Sequence, residues 1–257
     1  MNYDLVVCGV GGQGVLTIAA VIDRAIHEAG LYLKQSEVHG MAQRGGAVSA
    51  IVRISDQPVA SDLIAEGTAS MVLSVEPMEA LRYTNLLRPD GCIVSDITPM
   101  ENVAVYPKHD ALYQVLFSAP RVVAINGTRL ALKAGSIKVQ NVVVLGAAAS
   151  FLPLPPELLE AQLALLFAPK GERIVKANLN AFRIGDAASR FSAALSAAGV
   201  APQVIARVVS QIAFEPQPVP VSSVAAWSQR LLCEDAPTLA QSLFDADKAI
   251  APDAVPA

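Results

Sequence analysis

A short apolar run, Leu5-Val6-Val7, feeds a glycine-rich turn, Gly9-Val10-Gly11-Gly12-Gln13-Gly14, and a helix-like pattern follows at once. Few architectures accept strand, glycine turn and helix in that order. Glycines let the chain reverse tightly and bring backbone close to a neighbour. The helix start beyond them offers unpaired N–H groups and the positive end of a dipole, which suits an anion. The turn therefore predicts a fold class and proposes a site. Two readings stay open: a tight junction without a ligand, or a cradle for a phosphate or cofactor in which Gly9, Gly11, Gly12, Gln13 and Gly14 all take part. A Gly-x-Gly-x-x-Gly match alone does not name the ligand.

The rest of the chain repeats the alternation. Apolar or β-branched runs at 4–8, 31–36, 47–54, 71–75, 92–95, 103–106 and 122–125 read as strands. Residues 14–29 carry Val15, Ile18, Ala19, Ile22 and Ile26 at helical spacing, and Gly30 ends that helix. Pro77 opens a helix through 87, and Pro89-Asp90-Gly91 reads as a turn. Further helices are expected at 139–151, 156–167 and 175–198. Strands alternating with helices predict an α/β fold with a doubly wound, mainly parallel, Rossmann-like sheet. The character changes after 199. A helix at 201–213 leads into Phe214-Glu215-Pro216-Gln217-Pro218-Val219-Pro220-Val221, where alternate prolines impose an extended path. A helix at 223–233 carries the only tryptophan, Trp227, and 251–257 reads as a frayed end. The division is thus residues 1–198 as one domain and 199–257 as a C-terminal arm, partly extended and partner-contacting.

Composition narrows the classes. The 257 residues are 53% hydrophobic and only 16% charged, which implies a large core or a surface hidden against a partner. A net charge of −4 argues against a nucleic-acid partner. The cysteines, Cys8, Cys92 and Cys233, lie far apart, so this chain holds no metal ion or iron–sulfur cluster by itself. No apolar run reaches the roughly 18–20 residues of a membrane span, and no leader precedes the first strand; both point to a cytoplasmic protein. Hydrolase elbow and P-loop patterns are missing. His27 reads as a surface helix position and His109 as a loop residue.

A second constellation is denser: Ser36-Glu37-Val38-His39-Gly40-Met41-Ala42-Gln43-Arg44-Gly45-Gly46. It gathers an acid, an imidazole, an amide and a guanidinium between two strands, beside flexible backbone. In a doubly wound sheet, connections at the carboxyl ends of strands form the ligand crevice. The first and second strands are expected to be neighbours, so both loops would share one edge. Arg44 suits a phosphate or carboxylate, and His39 titrates near neutrality or donates a hydrogen bond. Glu37 also stands near where a nicotinamide site wants an acid.

Together the two motifs resemble the gamma-type domain of 2-oxoacid:ferredoxin oxidoreductases. The second is most similar to the small-subunit branch that serves indolepyruvate oxidation. Glu66-Gly67, Val75-Glu76-Pro77-Met78-Glu79-Ala80-Leu81 and Asn178-Leu179-Asn180-Ala181-Phe182-Arg183-Ile184-Gly185 support the likeness, which covers about residues 1–190. It implies a subunit of a complex that decarboxylates an aryl pyruvate with thiamine diphosphate and Mg2+, passes electrons through 4Fe-4S clusters to ferredoxin, and hands the acyl group to coenzyme A. Gly185-Asp186-Ala187 is not the start of a thiamine-diphosphate motif. The resemblance therefore implies a hetero-oligomer whose larger alpha subunit holds the diphosphate and the clusters. In that frame Glu37, His39, Gln43 and Arg44 are the candidate catalytic residues, and Gly40, Gly45 and Gly46 join the glycine turn in shaping the cofactor site. Two other readings are an independent nicotinamide-binding oxidoreductase and a purely structural assembly subunit.

Overall fold

The computed structural model describes residues 1–39, 45–246 and 248–256. One six-stranded sheet organises them. In chain order its strands are β1 (Asn2–Val10), β2 (Tyr32–His39), β3 (Ala47–Ser55), β4 (Ala69–Ser74), β5 (Leu87–Asp96) and β6 (Val122–Ile125). Their order across the sheet is β2-β3-β1-β4-β5-β6. β1, β4, β5 and β6 pair in parallel, whereas β3 runs antiparallel to both β1 and β2. The sheet is mainly parallel, as expected. The first and second strands, however, are not neighbours: β2 and β3 form a hairpin, and β3 slots between β2 and β1.

Side chains on successive strand residues enter different cores, the signature of a sheet covered on both faces. Leu5, Val7, Met71, Leu73, Val94 and Ile125 join one cluster with α1 (Val15–Glu28), α5 (Gln140–Ala148), α6 (Pro156–Phe167) and α7 (Glu172–Ala197). Val6, Cys8, Val72, Ile93 and Ala124 join the other with α2 (Pro77–Leu81) and α3 (His109–Phe117). Beyond 199, α8 (Pro202–Gln211) buries Val204, Ile205, Val208 and Val209 in the first cluster and Ala206 in the second. Trp227, on α9 (Val221–Arg230), is fully buried edge-on to Phe191. Residues past 199 therefore pack on the same cores.

Several expectations fail for identifiable reasons. Residues 103–106 are an apolar run like a strand but pair with none; they belong to a loop between β5 and α3. Pro89-Asp90-Gly91 lies inside β5. Its turn chemistry survives as an irregularity: Ala69 pairs with Leu87 and Met71 with Cys92, so residues 88–91 bulge from the β4 ladder. His109 opens α3 rather than sitting in a loop. The short α4 (Gly127–Lys133) and α10 (Ala236–Asp245) have no counterpart in the sequence reading. The end is tied down rather than frayed: Ala213 N donates to Ile250 O at 2.8 Å and Trp227 Nε1 to Pro252 O at 2.9 Å. Among the described residues no helix is long and apolar enough to cross a membrane.

Candidate functional site

The glycine turn leaves the carboxyl end of β1. Gln13 N donates to Val10 O at 3.0 Å, closing the turn, and Gly14 caps α1 in the left-handed region with φ of 83°. No side chain caps the first turn of α1, so its leading N–H groups have no side-chain acceptor. Neighbours make these glycines necessary. A Cβ at Gly9 would overlap Val75 Cγ2, and one at Gly14 would lie 2.5 Å from Asn141 Nδ2. Asn141 itself donates to Gly14 O at 3.2 Å. The Gln13 amide is spent on the backbone: its Oε1 accepts from Val10 N at 2.8 Å, and its Nε2 donates to Val75 O at 3.1 Å. It ties the ends of β1 and β4 together.

The base of the second constellation is stapled to this turn. Gly11 N donates to Gly46 O at 2.7 Å, and Gly45 N to Gly11 O at 3.3 Å. The two motifs therefore do meet, through the β2–β3 hairpin and the antiparallel β1–β3 pairing. His39 ends β2 with its backbone opposite Val48. Gly40, Gln43 and Arg44 lie outside the described residues. Glu37 sits on β2 opposite Ala50 and accepts from Gln35 Nε2 at 2.7 Å. One strand stands between β2 and β1. At about 4.8 Å per strand spacing, Glu37 is roughly 10 Å from β1, one strand beyond the neighbouring position where a dinucleotide ribose would meet an acid. The nicotinamide reading loses its second element.

In front of the turn opens a cavity of ≈ 550 Å³. Gly11, Gly12 and Gly45 line one side, and Thr98, Thr128, Lys138, Gln140 and Asn141 line the rest. Lys138 is exposed and has no ion-pair partner among the described residues. Behind the cavity lies Asp96, fully buried at the end of β5. Its Oδ1 accepts from Thr98 N at 2.8 Å and Gly127 N at 3.1 Å, and its Oδ2 from Gln140 Nε2 at 2.6 Å. Burial pushes its carboxyl above the usual aspartate range, while these hydrogen bonds pull it back. Asp96 thus sets the loops after β5 and β6 and the start of α5. None of Asp96, Lys138, Gln140 and Asn141 stands in a recognisable local motif; only the parallel pairing of β1, β4, β5 and β6 brings them to the glycine turn.

Two further features bear on cofactors and partners. Among the described residues no group of three or more His, Cys, Asp and Glu is arranged to hold a metal ion. Cys8 and Cys92 are buried on different faces of the sheet and Cys233 is exposed, so they do not converge on a cluster site. Met100 and Ile137 give the cleft an exposed apolar rim, and Leu16, Val38, Val103 and Val105 are exposed on the elements that carry the two motifs and the loop after β5, Val105 by 89%. Such a rim is the usual mark of a protein interface.

Comparison with known proteins agrees with this geometry. The family model described as pyruvate ferredoxin/flavodoxin oxidoreductase matches residues 4–188. The chain is 39% identical over 192 residues to indolepyruvate oxidoreductase subunit IorB of Archaeoglobus fulgidus, spanning 72% of this chain and 94% of that one. It is 35% identical over 199 residues to the protein of the same name in Thermococcus kodakarensis, spanning 74% and 96%. Among solved structures, 2-oxoglutarate:ferredoxin oxidoreductase from Magnetococcus marinus, with 2-oxoglutarate, coenzyme A and succinyl-CoA bound, superposes with a TM-score of 0.59 at 21% identity over 74% of this chain and 31% of that one. The gamma subunit of a keto/oxoacid ferredoxin oxidoreductase from Geobacter sulfurreducens superposes with a TM-score of 0.52 at 24% identity, over 71% and 95%. At these identities the two structures speak for the fold.

Proposed function

The chain belongs to the pyruvate ferredoxin/flavodoxin oxidoreductase family, and on that premise we propose how it serves a 2-oxoacid:ferredoxin oxidoreductase complex, of which it is the small subunit. The substrate is an aryl pyruvate such as indolepyruvate. The relatives named for that activity share 35–39% identity with this chain over nearly their whole lengths. Thiamine diphosphate with Mg2+, which supplies the electron sink for decarboxylation, and the 4Fe-4S clusters belong to a larger partner. Neither the described acids nor the three cysteines of this chain form a place for them. Ferredoxin or a similar carrier accepts the electrons, in the cytoplasm.

This chain contributes the roof of the site. The apolar rim docks on the partner and excludes water from the cleft. Coenzyme A fits the cleft: its phosphates suit the uncapped start of α1, the Gly11–Gly12 backbone and the Lys138 ammonium. Arg44, in the β2–β3 connection, and His39, at the end of β2, hold the oxoacid carboxylate or the coenzyme at the partner's thiamine. Glu37, on β2, and Gln43 assist them. Gly45 and Gly46 hold the base of the β2–β3 connection against the turn. The observation that supports this reading is the staple between Gly11 and Gly45–Gly46, which brings the base of the β2–β3 connection to the edge of the cleft. Residues 199–257 form a separate arm in function, contacting the partner beyond the family-matched region.

The test uses the copurified complex and aryl-pyruvate-dependent dye reduction. Arg44→Ala removes a charge-assisted contact of about 1.5–3 kcal/mol, so kcat/KM falls about 10- to 100-fold. Lys138→Ala raises KM for coenzyme A. Near-normal turnover in a complex carrying both Arg44→Ala and His39→Ala would sink the proposed roles. Loss of complex yield at unchanged turnover per complex would favour a structural subunit.

A further inference from the structure

The loop between β5 and α3 lines one side of the cleft through Thr98, Pro99 and Met100. Asp96 holds its start through Thr98 N, and Tyr113 and His109 on α3 bond Ile97 O and Glu101, but its middle and far end depend on a second carboxylate. Glu76, at the end of β4, is fully buried. Its Oε2 caps α2 by accepting from Glu79 N at 2.7 Å. Its Oε1 turns the other way, accepting from Met100 N at 3.3 Å and from the Tyr106 hydroxyl. Ser74 fixes the backbone beneath: its Oγ donates to Glu76 O at 2.6 Å and accepts from Glu76 N at 3.2 Å. Burial, and then the Glu76 carboxylate, push the Tyr106 phenol above its usual range, so it remains a donor. Between the two attachment points, Asn102 Nδ2 donates to Gly45 O at 2.9 Å. Gly45 N in turn donates to Gly11 O.

Glu76 therefore connects by a short run of hydrogen bonds to the wall loop, the base of the hairpin loop and the glycine turn. A helix cap alone would need only Oε2. A buried anion is costly unless its lone pairs are occupied, and here the second oxygen is occupied by the wall loop. We propose that Glu76 and Tyr106 are positioning residues: a latch that sets the 98–106 loop against Gly45 and so shapes the cleft for its ligand. This rests on the cleft being the coenzyme site.

The experiment uses the copurified complex, with coenzyme A as the probe. Tyr106→Phe keeps the ring and removes the donor; Asn102→Ala cuts the tether to Gly45. Hydrogen exchange reads the latch independently of any ligand. In Tyr106→Phe, exchange across 98–106 rises about tenfold, as expected when one charge-assisted bond to a loop is lost. KM for coenzyme A rises about tenfold while kcat falls less than twofold. Tyr106→Phe with Asn102→Ala is no worse than the worse single change, because both cut the same connection. A complex with thermal stability lowered but KM unmoved would show a merely structural role. Unchanged exchange overturns the latch. Faster exchange with unmoved KM, where Lys138→Ala does raise it, overturns its link to the cleft. If Lys138→Ala also leaves KM unmoved, the coenzyme reading fails, and the positioning role fails with it.

Discussion

Gly14→Ala measures how tightly the glycine turn is built. Gly14 sits at φ of 83°, a conformation costing a residue with Cβ about 1–2 kcal/mol. The new Cβ would stand 2.5 Å from Asn141 Nδ2 and 2.9 Å from its Cγ. Asn141 is nearly buried on α5 and must swing away, giving up its bond to Gly14 O, worth about 1 kcal/mol. Alanine returns about 0.4–1 kcal/mol by narrowing the unfolded ensemble. The net loss is about 1–2.5 kcal/mol. Gly12→Ala is the control: its φ is 100°, but a Cβ there meets nothing within 4 Å, so it shows strain alone, about 1 kcal/mol. The assay is urea unfolding of the full chain, read as a shift in midpoint at constant slope. In an Asn141→Ala background the added cost of Gly14→Ala should fall toward that of Gly12→Ala. Equal costs for Gly14→Ala and Gly12→Ala, or no relief from Asn141→Ala, would refute the packing argument.

Asp23, on α1, has its carboxyl pushed up to about 7, first by burial and then by Glu37. A folded value above the unfolded one means that the folded state keeps a proton the unfolded chain releases. Stability therefore drops as pH rises from about 4 to about 7. Asp23→Asn should remove that decline, with a melting-temperature gain at pH 8 that vanishes near pH 4; a gain independent of pH would contradict the assignment. Thiol labelling of the full chain at pH 8 should modify Cys233 alone. Cys8 and Cys92 are buried, with burial pushing their thiols up to about 12 and about 11, and should react only on unfolding. Gln13→Leu strands Val10 N and Val75 O together, at about 1–3 kcal/mol each, so circular dichroism melts should show one of the larger single losses outside the core. A loss under about 1 kcal/mol would return Gln13 to a ligand-facing role.

The fold class was legible because its signal is local. Leu5-Val6-Val7 and Met71-Val72-Leu73 are apolar on consecutive residues, which only a sheet covered on both faces requires. Strand order was not legible, because nothing within residues 31–55 says that β3 rather than β2 will meet β1. The hairpin insertion is a tertiary outcome, and it displaced Glu37 from the place a dinucleotide site would need. Residues 103–106 show the reverse case: Val-Ala-Val-Tyr has strand composition, but Pro99 and Pro107 fence it, and its tyrosine answers to Glu76 thirty residues earlier. The site divides the same way. The glycine turn and the hairpin loop announce themselves as motifs, but the residues that fix them, Asn141, Asp96 and Glu76, are single side chains without local pattern. Gln13 is the instructive case. Its position inside the motif suggests a ligand contact, and it does line the cavity, yet both ends of its amide are bonded to the backbone that carries the motif. A motif residue can thus make the loop possible as well as face the cleft, and the first role is visible only in its partner atom, here Val75 O some sixty residues away.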